Sequence, residues 1–173
     1  MNETAAGHVL EDVLRPGLRV VFCGTQAGAA SALKHAYYAG PGNKFWVALH
    51  QLELTPYCFK PKAYLQLLDC GIGLTDVAKL TSGPDTALRR EHFDVSGFVG
   101  RIERFAPRLV AFNGKRAASV VLNIRTRLLS YGVSQRRIGQ STVFVLASTS
   151  GAASGYWDFS AWSELSSLVR ERP

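Results

Sequence analysis

The stretch LRVVFCGTQAG, residues Leu18 to Gly28, joins a short β-branched apolar run to a loop with two glycines around Thr25-Gln26-Ala27. Bounded by Pro16-Gly17 on one side and Gly24 on the other, the run reads as a strand buried on both faces, near the middle of a sheet. The loop is open to three readings: a phosphate cradle, a holder of a catalytic residue, or a plain turn.

Working outward, RLVAFNG and STVFVLAS read as two more buried strands, and IGLTDV as a weaker fourth. Between them, NKFWVALHQLEL places apolar residues at helical spacing behind Asn43, and KAYLQLLDCG repeats the pattern up to Gly71. DVSGFVGRIERF reads as a helix opened by Asp94, KRAASVVLNIRTRLLSYG as one closed by Gly132, and WDFSAWSELSSLVRER as an amphipathic closing helix. Strands alternating with helices predict an α/β fold around a mainly parallel, four-stranded sheet. Ligands of such sheets bind beyond the carboxyl ends of the strands, so function is to be sought in GTQAG, NGKRA and STSGAASGY.

The 173 residues suit a single domain spanning 1–173. No apolar run is long enough for a membrane span, and MNETAAGHVLEDVL lacks the layout of a secretion signal, so an intracellular, cytoplasmic protein is expected, nucleoid-associated if bacterial. Cys23, Cys58 and Cys70 are scattered and odd in number, which argues for buried free thiols rather than disulfides or a zinc site. His8, His35, His50 and His92 show no ligand or triad spacing. A formal charge of +7 fits a polyanionic partner such as nucleic acid and equally fits solvated helix faces. AAGH near the start and LTSGPDTALRRE in the middle read as mobile, the second as a substrate-facing loop.

GTQAG matches neither GxGxxG nor the P-loop, so the ordinary nucleotide fingerprints are absent. Gln26 would be held at the sheet edge with an amide that donates and accepts, which can position a water. Lys115 and Arg116 open a helix where free N–H groups and two cations can hold a phosphate, or form a solvated basic cap. Small hydroxyl residues in STSGAASGYW fit close approach to a DNA backbone, or an ordinary turn. Tyr37, Tyr38, Phe45 and Trp46 surround AGPGN, where an extruded base could stack. Phe45 and Trp46 also suit a core, and Tyr38, beside the glycine-rich turn, is the better placed ring.

In order, VLEDVLRPGLRVVFCGTQAG, YAGPGNKFW, GIGLTDV, AFNGK and VFVLASTSGAAS resemble the mismatch-specific uracil/thymine branch of the uracil-DNA glycosylase superfamily, over roughly residues 9 to 156. The resemblance implies a three-layer α/β/α sandwich that extrudes a damaged base from DNA and hydrolyses its N-glycosidic bond without metal or cofactor. The iron–sulfur branches need a set of cysteines that this chain lacks. The resemblance further implies base-binding roles for Thr25, Tyr38, Phe45 and Asn113, and DNA contacts from Lys115, Arg116, Ser148, Ser150, Gly151 and Ala152.

The departures carry the specificity argument. The family motif GINPG holds the attacking water with an asparagine that falls on Gln26, one methylene longer. An asparagine that reads the base edge falls on Asp76, which when ionised only accepts hydrogen bonds. That suits the N3–H of uracil or the N1–H of hypoxanthine, and a partly desolvated aspartate near the sugar can also serve as a base or stabilise an oxocarbenium-like transition state. A related NPSG motif is STSG here, residues Ser148 to Gly151, without the histidine that some branches use, and the duplex-wedging position falls near small Ala152. The expectation is a monomeric, monofunctional glycosylase acting on uracil, and on hypoxanthine and related bases, in single- or double-stranded DNA, with Gln26 and Asp76 catalytic. The rival is a protein of the same fold that grips uracil-containing or abasic DNA without cutting it; a small-nucleotide enzyme is a third, weaker fit.

Overall fold

The structure, a computed structural model, describes residues 7–171; Ala5 and Ala6 of the AAGH stretch lie outside them. Five strands form one sheet: β1 (Val20–Gly24), β2 (Ile72–Asp76), β3 (Leu109–Asn113), β4 (Gly132–Ile138) and β5 (Ser141–Leu146), in the order β2-β1-β3-β5-β4. The first four in that order are parallel, and β4 pairs antiparallel with β5 at one edge. β1 is central, as its apolar run predicts.

The helices are α1 (Ala29–Lys34), α2 (Phe45–Gln51), α3 (Val95–Phe105), α4 (Lys115–Leu122) and α5 (Ser160–Arg170). Successive strand residues point to opposite faces. Val20 and Phe22 therefore join Trp46 and Leu49 of α2 and Trp162, Leu165 and Val169 of α5 in one core. Val21 and Cys23 join Phe98 and Ile102 of α3 and Ala117 and Ala118 of α4 in the other. The result is the three-layer α/β/α arrangement, with Phe22 and Trp162 stacked at 5.5 Å between ring centres in the first core.

Local chemistry sets the helix starts. Asp94 accepts a hydrogen bond from the Gly97 N–H at the mouth of α3 (2.9 Å), and Asn43 Oδ1 accepts from the Phe45 N–H at the start of α2 (3.0 Å).

Four expectations are corrected. The sheet has five strands rather than four, because the polar strand GVSQRRI is half solvated, with only Gly132 and Ile138 buried, and so carries no apolar run. Its start, Gly132, is not a helix stop: α4 ends at Leu122, where Asn123 takes a left-handed conformation (φ 53°). KAYLQLLDC forms a kinked 3₁₀ segment, Pro61–Cys70, instead of an α-helix. Of the three thiols, Cys23 alone is buried and Cys58 is exposed. Among the described residues no helix is long and apolar enough to cross a membrane.

Candidate active site

A cavity of about 740 Å³ opens at the carboxyl ends of β1, β2 and β3 and the segment after β5. It is lined by the β1 loop (residues 24–29), Tyr38 and the glycine turn after it, Asp76, loop 83–86, Asn113 to Arg116, and Ser148 to Ala153. The convergence follows from parallel pairing, which brings the carboxyl ends of consecutive strands to one edge.

Asp76 closes β2 and lies in register with Gly24 at the end of β1. It is buried, and a Cβ at position 24 would overlap its carboxylate, so the glycine is what lets the carboxylate lie across the end of β1. Among the described residues its carboxylate has no hydrogen-bond donor. Burial raises its pKa to about 7, opposed by the cations of Lys79 and Arg101 and assisted by the negative charges of Asp12 and Asp85.

Gln26 is differently placed. Its amide nitrogen donates to the carbonyls of Gly83 (3.0 Å) and Pro84 (3.1 Å), and its amide oxygen accepts from the Thr81 hydroxyl (2.8 Å). Nearby, the Gly83 N–H donates to the Ala27 carbonyl (2.9 Å), and the Thr25 hydroxyl donates to Asp85 Oδ2 (3.0 Å). The β1 loop and loop 81–86 are thus stitched into one wall, and Thr25 reaches the cavity as part of that seam. Of LTSGPDTALRRE, residues 83–86 line the cavity.

Tyr38 presents its ring to the cavity and stacks on Phe45 at 4.0 Å between centres. Its backbone is left-handed (φ 51°), an uncommon state for an aromatic residue that costs roughly 1 kcal/mol or more and is held by this packing. The hydroxyl is buried and has no hydrogen-bond partner among the described residues. Its pKa is raised well above the usual value by burial and by the Asp76 charge, with the nearby Asn113 side chain opposing the shift. Phe45 itself does not line the cavity: it is fully buried behind Tyr38, against Phe22, Trp46 and Trp162. Of the two rings, Tyr38 is the one that lines the cavity.

Asn113, at the end of β3, exchanges a reciprocal pair with Thr149: its Nδ2 donates to the threonine hydroxyl (2.8 Å) and its Oδ1 accepts from the backbone N–H (2.9 Å). This pair, with the Trp162 indole donating to the Ala147 carbonyl (3.0 Å), fixes the chain after β5. Ser148 and Ser150 accept from the N–H groups of Ser150 (3.2 Å) and Ala152 (3.3 Å), two tight side-chain turns that leave Ala152 exposed at the rim. The Lys44 N–H donates to the Thr149 carbonyl (2.9 Å), and a Cβ at Gly151 would press on the Pro41 carbonyl at 2.9 Å. GPGNKFW and STSG, far apart in sequence, therefore pack as a second wall.

Lys115 and Arg116 stand at the start of α4 on the cavity rim. The ammonium of Lys115 lies 4.5 Å from the Tyr131 ring centre, and Arg116 donates to the Leu88 carbonyl (3.1 Å). No histidine lines the cavity among the described residues, and no group of three metal-ligating side chains occurs among them.

One group at this edge escaped the sequence reading. Asp12 lies against the end of β2, its carboxylate 2.8 Å from Lys79 Nζ and 3.0 Å from Arg101 Nε, and accepts a 2.6 Å hydrogen bond from Thr75. Within VLEDVL it is one of two adjacent acids, and nothing in that stretch sets it apart from Glu11 until the strands are paired.

The family model of the uracil DNA glycosylase superfamily matches residues 11–165. A solution NMR structure from Methanosarcina acetivorans, described provisionally as a uracil DNA glycosylase, superposes with a TM-score of 0.64 at 24% identity, covering 93% of this chain and 94% of that one. The second match bears on the fold, the first on descent: the chain belongs to the uracil DNA glycosylase superfamily.

Proposed function

We propose that this protein is a monofunctional DNA glycosylase that hydrolyses the N-glycosidic bond of uracil, and of hypoxanthine and related deaminated bases, leaving an abasic site. The observation that carries the reading is the Asp76 carboxylate, buried at the cavity with no hydrogen-bond donor among the described residues and poised to ionise near neutral pH. In the proposed reaction the extruded base stacks on Tyr38. Ionised Asp76 takes a proton from a water whose oxygen bonds to C1′ of the sugar, and the electron pair of the breaking C–N bond leaves with the base. The departing anion is met by the polar rim of loops 24–29 and 148–153 instead of an imidazole. Gln26 serves this chemistry by holding loop 81–86, not by holding the water. Lys115 and Arg116 engage the DNA backbone, with Ser148, Ser150, Gly151 and Ala152 at the same rim.

A second reading rests on the same geometry of Gln26. With its amide committed to Thr81, Gly83 and Pro84, the family's water-holding position is filled by a structural latch, which favours a protein that grips uracil-containing or abasic DNA without hydrolysis. One experiment separates the two. Single- and double-stranded oligonucleotides carrying one uracil or hypoxanthine are incubated with protein and treated with alkali. Strand cleavage at the modified base is expected from the enzyme, and no cleavage at stoichiometric protein, with retained binding, establishes the second reading instead.

A further inference from the structure

We propose that Asp12 is a positioning residue for Asp76, acting from outside the cavity by balancing the two cations that lie under the end of β2 and by fixing the backbone from Thr75 to Lys79. The inference rests on the reading of Asp76 as the base.

The geometry begins with the chain before β1. Val13 and Leu74 exchange backbone hydrogen bonds (2.9 and 3.0 Å), so this segment lies along the free edge of β2. Only a glycine at position 73 permits this, because a Cβ there would lie 2.6 Å from the Val13 carbonyl oxygen. The approach sets Asp12 against Thr75, Lys79 and Arg101. Lys79 is almost fully buried and also donates to the Tyr37 hydroxyl (3.2 Å), which in turn donates to the Glu11 carbonyl (3.0 Å). Arg101, reaching up from α3, donates to the backbone carbonyl of Asp76 itself (3.2 Å).

Lys79 and Arg101 both face Asp12, Arg101 also lies 3.8 Å from Asp94 at the mouth of α3, and an ionised Asp76 shares the field of the same two cations. A buried pair stripped of one partner leaves an uncompensated charge, so each member controls how readily the others carry theirs. The charged and titratable groups acting on this site come from every surrounding element: Asp12 before β1, Cys23 on β1, Tyr37 and Tyr38 before α2, Lys79 and Asp85 after β2, Asp94 at the mouth of α3 and Arg101 on α3. Of these, Asp12 alone touches both cations and the strand that ends in Asp76.

The test is the pH dependence of single-turnover uracil release. Asp12→Asn removes the one carboxylate that faces both cations, and the acid limb is expected to move down by about one pH unit, a roughly tenfold gain over the parent's relative rate at two units below its midpoint. Lys79→Met is expected to move the limb the opposite way, and the double variant to return it towards the parent. A midpoint that stays fixed both in the rate profile and in the titration of the Asp76 carboxyl, while the rate falls at all pH values, would assign Asp12 a merely structural role and overturn the proposal. Should Asp12→Asn fail to fold, Lys79→Met decides alone, and an unmoved midpoint overturns the proposal. Titration of the ¹³C-labelled Asp76 carboxyl by NMR separates the two layers of inference. A carboxyl titration that shifts in Asp12→Asn while the rate profile does not leaves the Asp12 network standing and removes Asp76 as the base.

Discussion

The β1 loop and the end of β2 lie side by side, Gly24 paired with Asp76, and each offers one polar side chain to the same cavity. They have opposite fates. Gln26 has three hydrogen bonds to loop 81–86, whereas the Asp76 carboxylate has none among the described residues. A group whose donors and acceptors are already paired must break those bonds to handle a substrate, while an unpaired buried carboxylate gains by finding a proton or a donor. Proximity to a cavity does not distinguish the two; the state of their hydrogen bonds does.

The sharpest way to break this comparison is Asp76→Asn. Loss of a general base lowers the rate by about 10²- to 10⁴-fold, so single-turnover uracil release is expected to collapse while oligonucleotide binding persists. The parent rate is expected to rise with pH through a midpoint near 7, where Asp76 ionises, and a flat profile between pH 5 and 9 would remove it from the chemistry. The same variant reads out stability. The folded-state pKa of about 7 lies above the ordinary 3.8, so folding favours the protonated acid. Stability from this group is full below about pH 4 and is lost as pH rises through 7, a difference on the order of 4 kcal/mol. Asp76→Asn is therefore expected to raise the melting temperature at pH 8 and to change it little at pH 4, as calorimetry can check.

Next in size is Tyr38→Ala, which removes the ring that a base would meet. Stacking on an aromatic ring is worth about 1–3 kcal/mol, so affinity for a uracil oligonucleotide should fall by roughly ten- to a hundredfold, measured by fluorescence anisotropy. If Phe45 were the stacking partner instead, affinity would survive this change.

Gln26→Ala is expected to cost less than Asp76→Asn, about tenfold in rate, because three net-weak hydrogen bonds are lost and not a reacting group. Its specific mark is local: limited proteolysis should cut loop 81–86 faster than in the parent. An effect on rate as large as that of Asp76→Asn, with the loop still protected, would return Gln26 to the chemistry. The smallest effect is expected for Lys115→Ala, a reduction of about one in the slope of log affinity against log salt, with the rate at saturation unchanged.

Much of the architecture was legible because buried parallel strands leave apolar runs: VVFC, LVAF and VFVL are β1, β3 and β5, and Asp94 caps α3 as its position suggests. β4 was not, because an edge strand turned to solvent carries arginines and serines where a central strand carries valines. The residues of the site were legible as a set, since each loop after a strand converges on one edge. Their contacts were not: the sequence places Tyr38 better than Phe45 for a base, but only the fold shows Phe45 fully buried behind that ring.

The sequence by itself determined the alternation of strands and helices, the edge of the sheet where a ligand must sit, and the residue types present there, because burial on both faces and strand-to-helix turns write local patterns. Tertiary structure alone decided which of those residues are free. The partners of Gln26 lie more than fifty residues along the chain, those of Asn113 lie beyond β5, and Asp12 meets Lys79 and Arg101 only when the chain before β1 is laid against β2. Hydrogen bonds and ion pairs act over about 3 Å in space and are indifferent to separation in sequence. The competition between structure and chemistry for one side chain is therefore settled only once the strands are paired.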